Sequence, residues 1–353
     1  MMEPRRLQQK PCTLSLRRSR RALAQGFAAR RLLPDLEEVL EAEGIERFEE
    51  DIRLMGKARL KELFGAKTTG RINLSLLIKN MVWQVLEKLR AGQQQPFEGN
   101  VRSFWYSHVK STLSRAGGLR ADSDPYGVMI DVFVRLVLEL DLMRYREFGF
   151  FDEREEDRLI GGANGHIIVA AEKRGHFPFL KRLHEDFDVT VISLGGQPSL
   201  LSTEYFAGEM EAAGFELGSR FPLLCIVDFD PSGWLIVDSF LTQLEDLGFG
   251  EAEVEFLVLP EFMGKEQIQL NKYRLSRKKS EKTKNEKWVA RSGGVNGTLY
   301  GLEADAMEPG QLREQFRKKV DEYLKLGMEE VRRRRQKRAL IEVLEKKILE
   351  KLS

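Results

Sequence analysis

Between Gly165 and Leu259 short apolar runs alternate with amphipathic stretches, an order that few soluble folds accept. Residues 167–171, 189–194, 223–227 and 254–259 read as strands, and 177–184, 199–213 and 234–247 as the helices between them. Strands and helices at this spacing predict βαβ units, a parallel sheet covered on both faces, and hence an α/β fold. Ligands of such sheets sit beyond the carboxyl ends of the strands. The residues that follow each strand are therefore the first candidates for chemistry.

Three of those residues are acids. Glu172 follows the first strand, and Asp228 and Asp230 follow the third in Ile226-Val227-Asp228-Phe229-Asp230-Pro231-Ser232-Gly233. Like charges gathered at one sheet edge repel unless a cation lies among them, and hard oxygen donors without thiolate or paired histidine suit Mg²⁺. Either aspartate could instead cap the following helix. That reading accounts for one acid, but not for two in D-x-D with a glutamate at a second strand end. A similar outline, Asp122-Ser123-Asp124-Pro125-Tyr126-Gly127, has no apolar strand before it and reads as a turn ahead of a helix beginning near Val128.

The preceding segment is helical in pattern. Asn73 or Ser75 is placed to cap a helix with Ile78, Met81, Val82, Val85, Leu86 and Leu89 on one face, ending at Gly92. Asn100 is placed to cap the next, where Val101, Phe104, Trp105, His108, Val109 and Thr112 form a stripe that Gly117 and Gly118 stop. Tyr106 lies off that stripe. Arg102, Tyr106 and Lys110 are spaced i, i+4, i+8, which puts cations within reach of the phenol. A phenol of pKa ~10 is a poor nucleophile at neutral pH, and nearby cations favour its phenolate. The arrangement suits a tyrosine that attacks phosphorus; periodicity alone leaves a half-buried aromatic cluster as the alternative. His108 reads as a core histidine.

At 353 residues the chain exceeds what one core usually serves, so two domains with extensions are expected. Its 57 basic and 55 acidic residues nearly cancel to +2, but their distribution is uneven. Residues 1–31 form a basic arm carrying Arg5, Arg6, Lys10, Arg17, Arg18, Arg20, Arg21, Arg30 and Arg31, and the acidic, amphipathic segment 35–51 follows. Residues 272–287, with Arg274, Arg277, Lys278, Lys279, Lys282 and Lys284, read as a mobile loop able to touch phosphates. Residues 311–353 read as a helical tail with a run of basic residues from Arg332 to Arg338. Any one such run reads as a solvated face; together they favour an anionic polymer as partner. Two cysteines exclude a disulfide framework or a multi-cysteine zinc module and fit a reducing compartment, with Cys225 a small core residue. No apolar stretch approaches the ~20 residues of a bilayer span, so no membrane role is expected.

Glu172-Lys173 followed by Phe177, the turn Gly195-Gly196-Gln197-Pro198, and Asp228-Phe229-Asp230-Pro231-Ser232-Gly233 resemble the Toprim domain of the A subunit of DNA topoisomerase VI and its meiotic double-strand-break relatives. Arg102-Ser103-Phe104-Trp105-Tyr106 is similar to that family's R-x-x-x-Y segment, in which a tyrosine on a winged-helix domain is the nucleophile. Residues 302–307 resemble a short acidic segment near the end of the family's catalytic unit. The resemblance runs from about Ala58 to Met307 in the family's order. It departs where Gln197 stands in place of a usual lysine, and where Trp105 replaces the more usual aromatic partner of the nucleophile.

The resemblance implies four parts: a basic arm and acidic extension (1–57), a winged-helix-like DNA-binding domain (58–160), a Toprim metal-binding domain (161–310) and a basic helical tail (311–353). It implies Mg²⁺-dependent cleavage of double-stranded DNA by a homodimer through a 5′-phosphotyrosyl intermediate. Tyr106 and Arg102 would be catalytic, and Glu172, Asp228 and Asp230 metal ligands. The tyrosine of one protomer would meet the metal site of the other. The sequence holds no Gly-rich ATPase module, so strand passage would need a separate GHKL-type ATPase subunit. The alternatives are a hydrolytic Toprim nuclease of an SMC-type plasmid-defence system and a DNA-binding assembly factor with a vestigial site. In a prokaryote the expected location is cytoplasmic, with the nucleoid.

Overall fold

The computed structural model describes residues 74–115, 119, 124–140, 142–276 and 278–352. The basic arm and acidic extension therefore lie outside the described residues, as do Asn73, Gly117, Gly118, Asp122 and Arg277. The chain divides into two compact units, residues 1–151 and 152–353.

In the first unit, α1 (Leu74–Arg90) buries the face that its 3.6-residue period marks out: Leu77, Ile78, Met81, Val82, Val85 and Leu86. Leu74 is already helical, so Ser75 lies within the helix rather than at its cap, and Gly92 leaves the helix at φ +68°. Asn100 caps the next helix, its side chain accepting from the Ser103 N–H at 2.8 Å. That helix runs as α2 (Val101–Phe104), a π-helical turn (Trp105–Lys110) and α3 (Ser111–Arg115). Then α4 (Tyr126–Val134) packs Met129, Val132 and Phe133 toward α1. Phe104 is the hub of an aromatic core, edge-on to Phe97, Phe133, Phe148 and Phe150. His108 stacks on it at 5.2 Å, as a core histidine does. Arg90 pairs with Glu147 at 2.9 Å and ties the end of α1 to the short helix Tyr145–Phe148. The described residues of this unit contain isolated bridging between Gly99 and Phe150, but no strand ladder.

The second unit is the α/β region the alternation predicts. Its strands are β1 (Arg158–Leu159), β2 (Asn164–Ala171), β3 (Val189–Ser193), β4 (Phe221–Ile226) and β5 (Ala252–Phe256), in the order β1-β3-β2-β4-β5. All neighbours are parallel except β1, which runs antiparallel to β3 along one edge. Period-2 alternation sorts the side chains. Ile167, Val169, Val191, Leu224 and Ile226 face one core, with α5 (Phe177–Phe187), while Ile168, Ala170, Ile192, Leu223 and Cys225 face the other, with α6 (Leu200–Ala212) and α7 (Pro231–Asp246). Leu180, Leu183 and Phe187 are fully buried from α5, each worth ~1.5–3 kcal/mol of hydrophobic stabilisation.

Beyond the sheet come α8 (Lys265–Asn271), β6 (Lys272–Arg274), α9 (Lys279–Ser292) and β7 (Tyr300–Leu302), with β6 and β7 forming an antiparallel pair. The basic stretch 272–287 is thus a strand and a helix rather than a mobile loop. Trp288 is buried against Phe229 at 5.0 Å, Asn285 donates to the Ser276 carbonyl at 2.8 Å, and Val289 packs partly against the same core, docking a helix that is mostly polar. The tail likewise divides. Leu312, Phe316 and Val320 of α10 (Pro309–Val320) belong to the main core, and α11 (Met328–Leu352) follows. Arg313 and Arg335 serve this packing, lying 3.1 and 3.7 Å from the buried carboxylate of Asp186.

Candidate functional sites

Glu172 is carried at the end of β2, where its N–H donates to the Ile226 carbonyl at 3.0 Å. Parallel pairing of β2 with β4 brings Glu172 level with the D-x-D segment, and the Asp228 N–H donates to Glu172 Oε2 at 3.1 Å. Asp228 accepts the Ala304 N–H at 2.8 Å through Oδ1. Phe229, between the aspartates, exchanges backbone hydrogen bonds with Leu302. These bonds bring the acidic segment Glu303–Asp305 onto the same edge. Gly233 permits the tight turn: a Cβ there would lie 2.3 Å from the Asp228 carbonyl oxygen. Gly195 has φ +58°, and a Cβ there would strike the Arg154 guanidinium; the next residue's N–H, from Gly196, donates to the Glu172 carbonyl at 2.9 Å.

Asp230 is engaged differently. It caps α7, with Oδ1 accepting the Ser232 and Gly233 N–H groups at 2.8 and 2.7 Å, and its Oδ2 accepts the Tyr273 hydroxyl at 2.8 Å. Burial, with Asp230 behind it, pushes the Tyr273 phenol far above its ordinary value, so it remains a donor. The helix-cap reading therefore describes Asp230, and its three hydrogen bonds leave one lone pair of Oδ2 open to a metal.

A cation already lies among the acids. Lys173 Nζ is 3.0 Å from Asp228 Oδ1, 2.9 Å from Asp305 Oδ2 and 3.6 Å from Glu303 Oε2. Partial burial opposes its charge, but bonds to Asp305 and Asp228 outweigh that and hold it well above an ordinary lysine. Bonding to Lys173, helped by His176, holds Asp305 below the usual carboxylate range. Burial raises Glu172, and the charges of Asp228 and Asp230 add to the rise against the Asp228 N–H bond. Among the described residues no three acidic, histidine or cysteine side chains enclose a metal position. Mg²⁺ does not require that: it commonly takes one or two carboxylates and completes its shell with water and phosphate oxygens. Asp228, Glu303 and Asp305, which already hold an ammonium, and Glu172 beside them present the hard oxygen donors that such an ion takes.

The basic face of α9 approaches this edge. Lys284 donates to Ser232 at 3.1 Å, within the D-x-D-P-S-G turn, while Arg291 pairs with Asp238 of α7 at 2.7 Å and covers the Trp234 ring. Gln197, at the usual lysine position of the glycine turn, donates to Ser239.

In the first unit, the π-helical turn carries Tyr106. Its neighbours Phe104 and Trp105 are fully buried, whereas Tyr106 is 45% exposed. Arg102 Nη2 donates to the Tyr106 hydroxyl at 3.3 Å, and Lys110 Nζ lies 5.0 Å above its ring. The hydroxyl donates to Asp124 Oδ2 at 3.3 Å, and Trp105 Nε1 donates to Asp124 Oδ1 at 2.7 Å. Lys110 Nζ is 3.6 Å from that same Oδ1. Bonding to Tyr106 raises the Arg102 guanidinium further above its ordinary value. Desolvation, the largest single influence on Asp124, pushes it up, but the Trp105 bond, the Lys110 charge and the Tyr106 bond together outweigh it and hold the carboxyl below the usual range. The turn reading of 122–127 expected a helix from near Val128, which begins two residues earlier at Tyr126, and it gave Asp124 no chemistry. The available signal was Trp105, a buried indole N–H that needs an acceptor.

Neither a family model nor a curated protein sequence matches this chain. No helix among the described residues is long and apolar enough to cross a membrane.

Proposed function

We propose that this chain is a magnesium-dependent DNA-cleaving transesterase of the type IIB topoisomerase A-subunit kind, acting as a homodimer through a 5′-phosphotyrosyl intermediate. In this reading the first unit is winged-helix-like and the second is Toprim-type. The observation that supports it most is the placement of the Tyr106 hydroxyl. It stands exposed between a guanidinium and a carboxylate, while the two residues before it are buried. A tyrosine serving only the aromatic core would not need those partners.

Tyr106 attacks one phosphate per strand, and Arg102, already donating to the attacking oxygen, offsets the charge that gathers there. Glu172 and Asp228 would hold Mg²⁺, which supplies charge neutralisation at the phosphate oxygens. Asp230 keeps the turn in shape through the α7 cap and Tyr273. Lys278, Lys279 and Lys282 of the α9 region face solvent and suit contacts to phosphates without reading bases.

The deciding experiment is denaturing electrophoresis of 3′-end-labelled duplex incubated with protein and Mg²⁺. The expected result is label that migrates with protein until protease is added, and its loss in Tyr106→Phe. Free 5′-phosphate ends, formed equally by Tyr106→Phe, would instead establish a hydrolytic nuclease. Binding without any cleavage would indicate an assembly factor.

A further inference from the structure

We propose that Asp124 is the proton acceptor for Tyr106 and that Trp105 is the residue that aims it, an inference that rests on the tyrosine reading above. The two oxygens of Asp124 are divided between these tasks. Oδ1 is fixed by the Trp105 indole N–H at 2.7 Å, and Oδ2 accepts the Tyr106 hydroxyl at 3.3 Å. The Trp105 ring is fully buried, so the direction of its N–H is set by the core rather than by solvent. Phenylalanine at position 105 would keep an aromatic ring in the core but would have no donor, and the carboxylate would lose its anchor. The indole therefore gives this position a task that a plain aromatic ring would not perform.

Among the described residues, the other charged and titratable groups that contact this trio are Arg102, Lys110 and Tyr126. Arg102 donates to Tyr106 from a second direction and also lies over the Tyr126 ring at 5.0 Å; Lys110 lies 3.6 Å from Asp124 Oδ1. Cations on two sides and a carboxylate on the hydroxyl form a site that can take a proton from one oxygen and stabilise the charge left behind.

The step balances as follows. The Tyr106 oxygen forms a bond to phosphorus, the bond from phosphorus to the 3′-oxygen breaks, and the phenolic proton passes to Asp124 Oδ2. The departing 3′-oxygen takes a proton from solvent, and Asp124 later gives its own proton to solvent. In religation the same atoms move in reverse. A carboxylate this weakly basic cannot deprotonate a resting phenol of pKa ~10. Transfer becomes favourable as the phenolic oxygen turns into an ester oxygen, which is general-base catalysis confined to the transition state. Asp124 thus leaves the tyrosine protonated, and quiet, until a phosphate is in place.

The test follows formation of the covalent adduct on 3′-end-labelled duplex from pH 6 to pH 8.5, with melting temperature and DNA affinity measured for each variant. Wild type should change little across this range. Asp124→Asn should be slower by roughly 10²–10⁴-fold at pH 7, the usual worth of a positioned base. Its rate should climb about tenfold per pH unit, because hydroxide must then make the phenolate. Trp105→Phe, which keeps the carboxylate and an aromatic ring in the core, should lose about tenfold and retain the flat wild-type profile, the loss expected when a positioning bond of ~1.4 kcal/mol is removed, and its melting temperature reports the smaller ring separately. Should Asp124→Asn melt early, Trp105→Phe and Asp124→Glu, the latter restoring part of the rate, decide the matter. An Asp124→Asn adduct rate equal to wild type, or reduced by one constant factor at every pH, would overturn the inference while leaving the tyrosine reading intact. Wild-type protein that forms no adduct and releases free 5′-phosphates overturns the tyrosine reading and this inference with it.

Discussion

The two candidate sites are built by opposite means. At the sheet edge the carboxylates are held by main chain: Glu172 by the Asp228 N–H, Asp228 by the Ala304 N–H, and Asp230 by the first turn of α7. At Tyr106 the bonds run between side chains, Arg102 to phenol, phenol to Asp124 and indole to Asp124, on a π-helical turn. A site held by backbone keeps its geometry when one side chain changes. A site held by side chains loses geometry and chemistry together. The comparison can be broken by substituting in each place and asking whether function and fold fail independently.

Tyr106→Phe should have the largest effect, eliminating the covalent adduct by at least ~10³-fold while leaving the melting temperature within about 1–2 °C, because an exposed oxygen contributes little to the core. Retained adduct would mean that another residue attacks. The converse case at the sheet edge is Gly233→Ala. Its Cβ would need to occupy space 2.3 Å from the Asp228 carbonyl oxygen, so the turn must open. Destabilisation of about 1–3 kcal/mol is expected, measured by denaturant unfolding, with cleavage falling alongside it. Full stability in Gly233→Ala would show that the main-chain frame is looser than its contacts imply.

How far each site can be read from sequence follows the same division. The strands ending at Ala171 and Ile226 are continuous apolar runs, and parallel pairing then fixes what lies beyond them; Glu172 and Asp228 were legible for that reason. Lys173 stood in the same motif, but its position between Asp228, Glu303 and Asp305 depends on the long-range return of β7 to Phe229, which no local pattern announces. The loop reading of 272–287 failed because α9 buries only Asn285 and Trp288, with Val289 partly covered beside them, too few apolar positions to register as a periodic face. Arg102 and Tyr106 were legible from i, i+4 spacing. Asp124 was not, since a D-x-D-P-x-G turn and a carboxylate aimed at a phenol have the same sequence.

The docked α9 also sharpens what its charges can do. Lys284 is engaged with Ser232 and Glu281, whereas Lys278, Lys279, Lys282 and Lys287 are exposed. Replacing these four by glutamine should lower the slope of log affinity against log salt by up to ~3 for all duplex sequences alike, as expected when phosphate contacts are lost. Lys284→Gln alone should change that slope by less than ~1. Fluorescence titrations at several salt concentrations check both. An unchanged slope in the fourfold variant would remove this helix from the DNA-facing surface.

The smallest expected effect concerns stability rather than turnover, and it probes the repulsion within the sheet-edge site. Burial raises the pKa of Glu172, and the charges of Asp228 and Asp230 add to that rise. The folded chain therefore holds this proton more tightly than the unfolded chain does. By linkage the stabilisation is complete below the unfolded glutamate pKa and is lost as pH rises through the folded value, so at neutral pH the ionised side chain weakens the fold. Glutamine at this position can still accept the Asp228 N–H but carries no charge. Glu172→Gln should consequently melt above wild type at pH 7 without divalent ions. The difference should shrink toward acid pH as the wild-type carboxyl takes up its proton. Mg²⁺ should close the gap from the other side, by stabilising wild type and leaving Glu172→Gln unmoved. Scanning calorimetry at pH 7 and at pH 4.5, with and without Mg²⁺, measures all of these. A variant that melts below wild type at pH 7 would show that Glu172 is held by attraction to a cation, Lys173 being the nearest in sequence, rather than strained by its acidic neighbours.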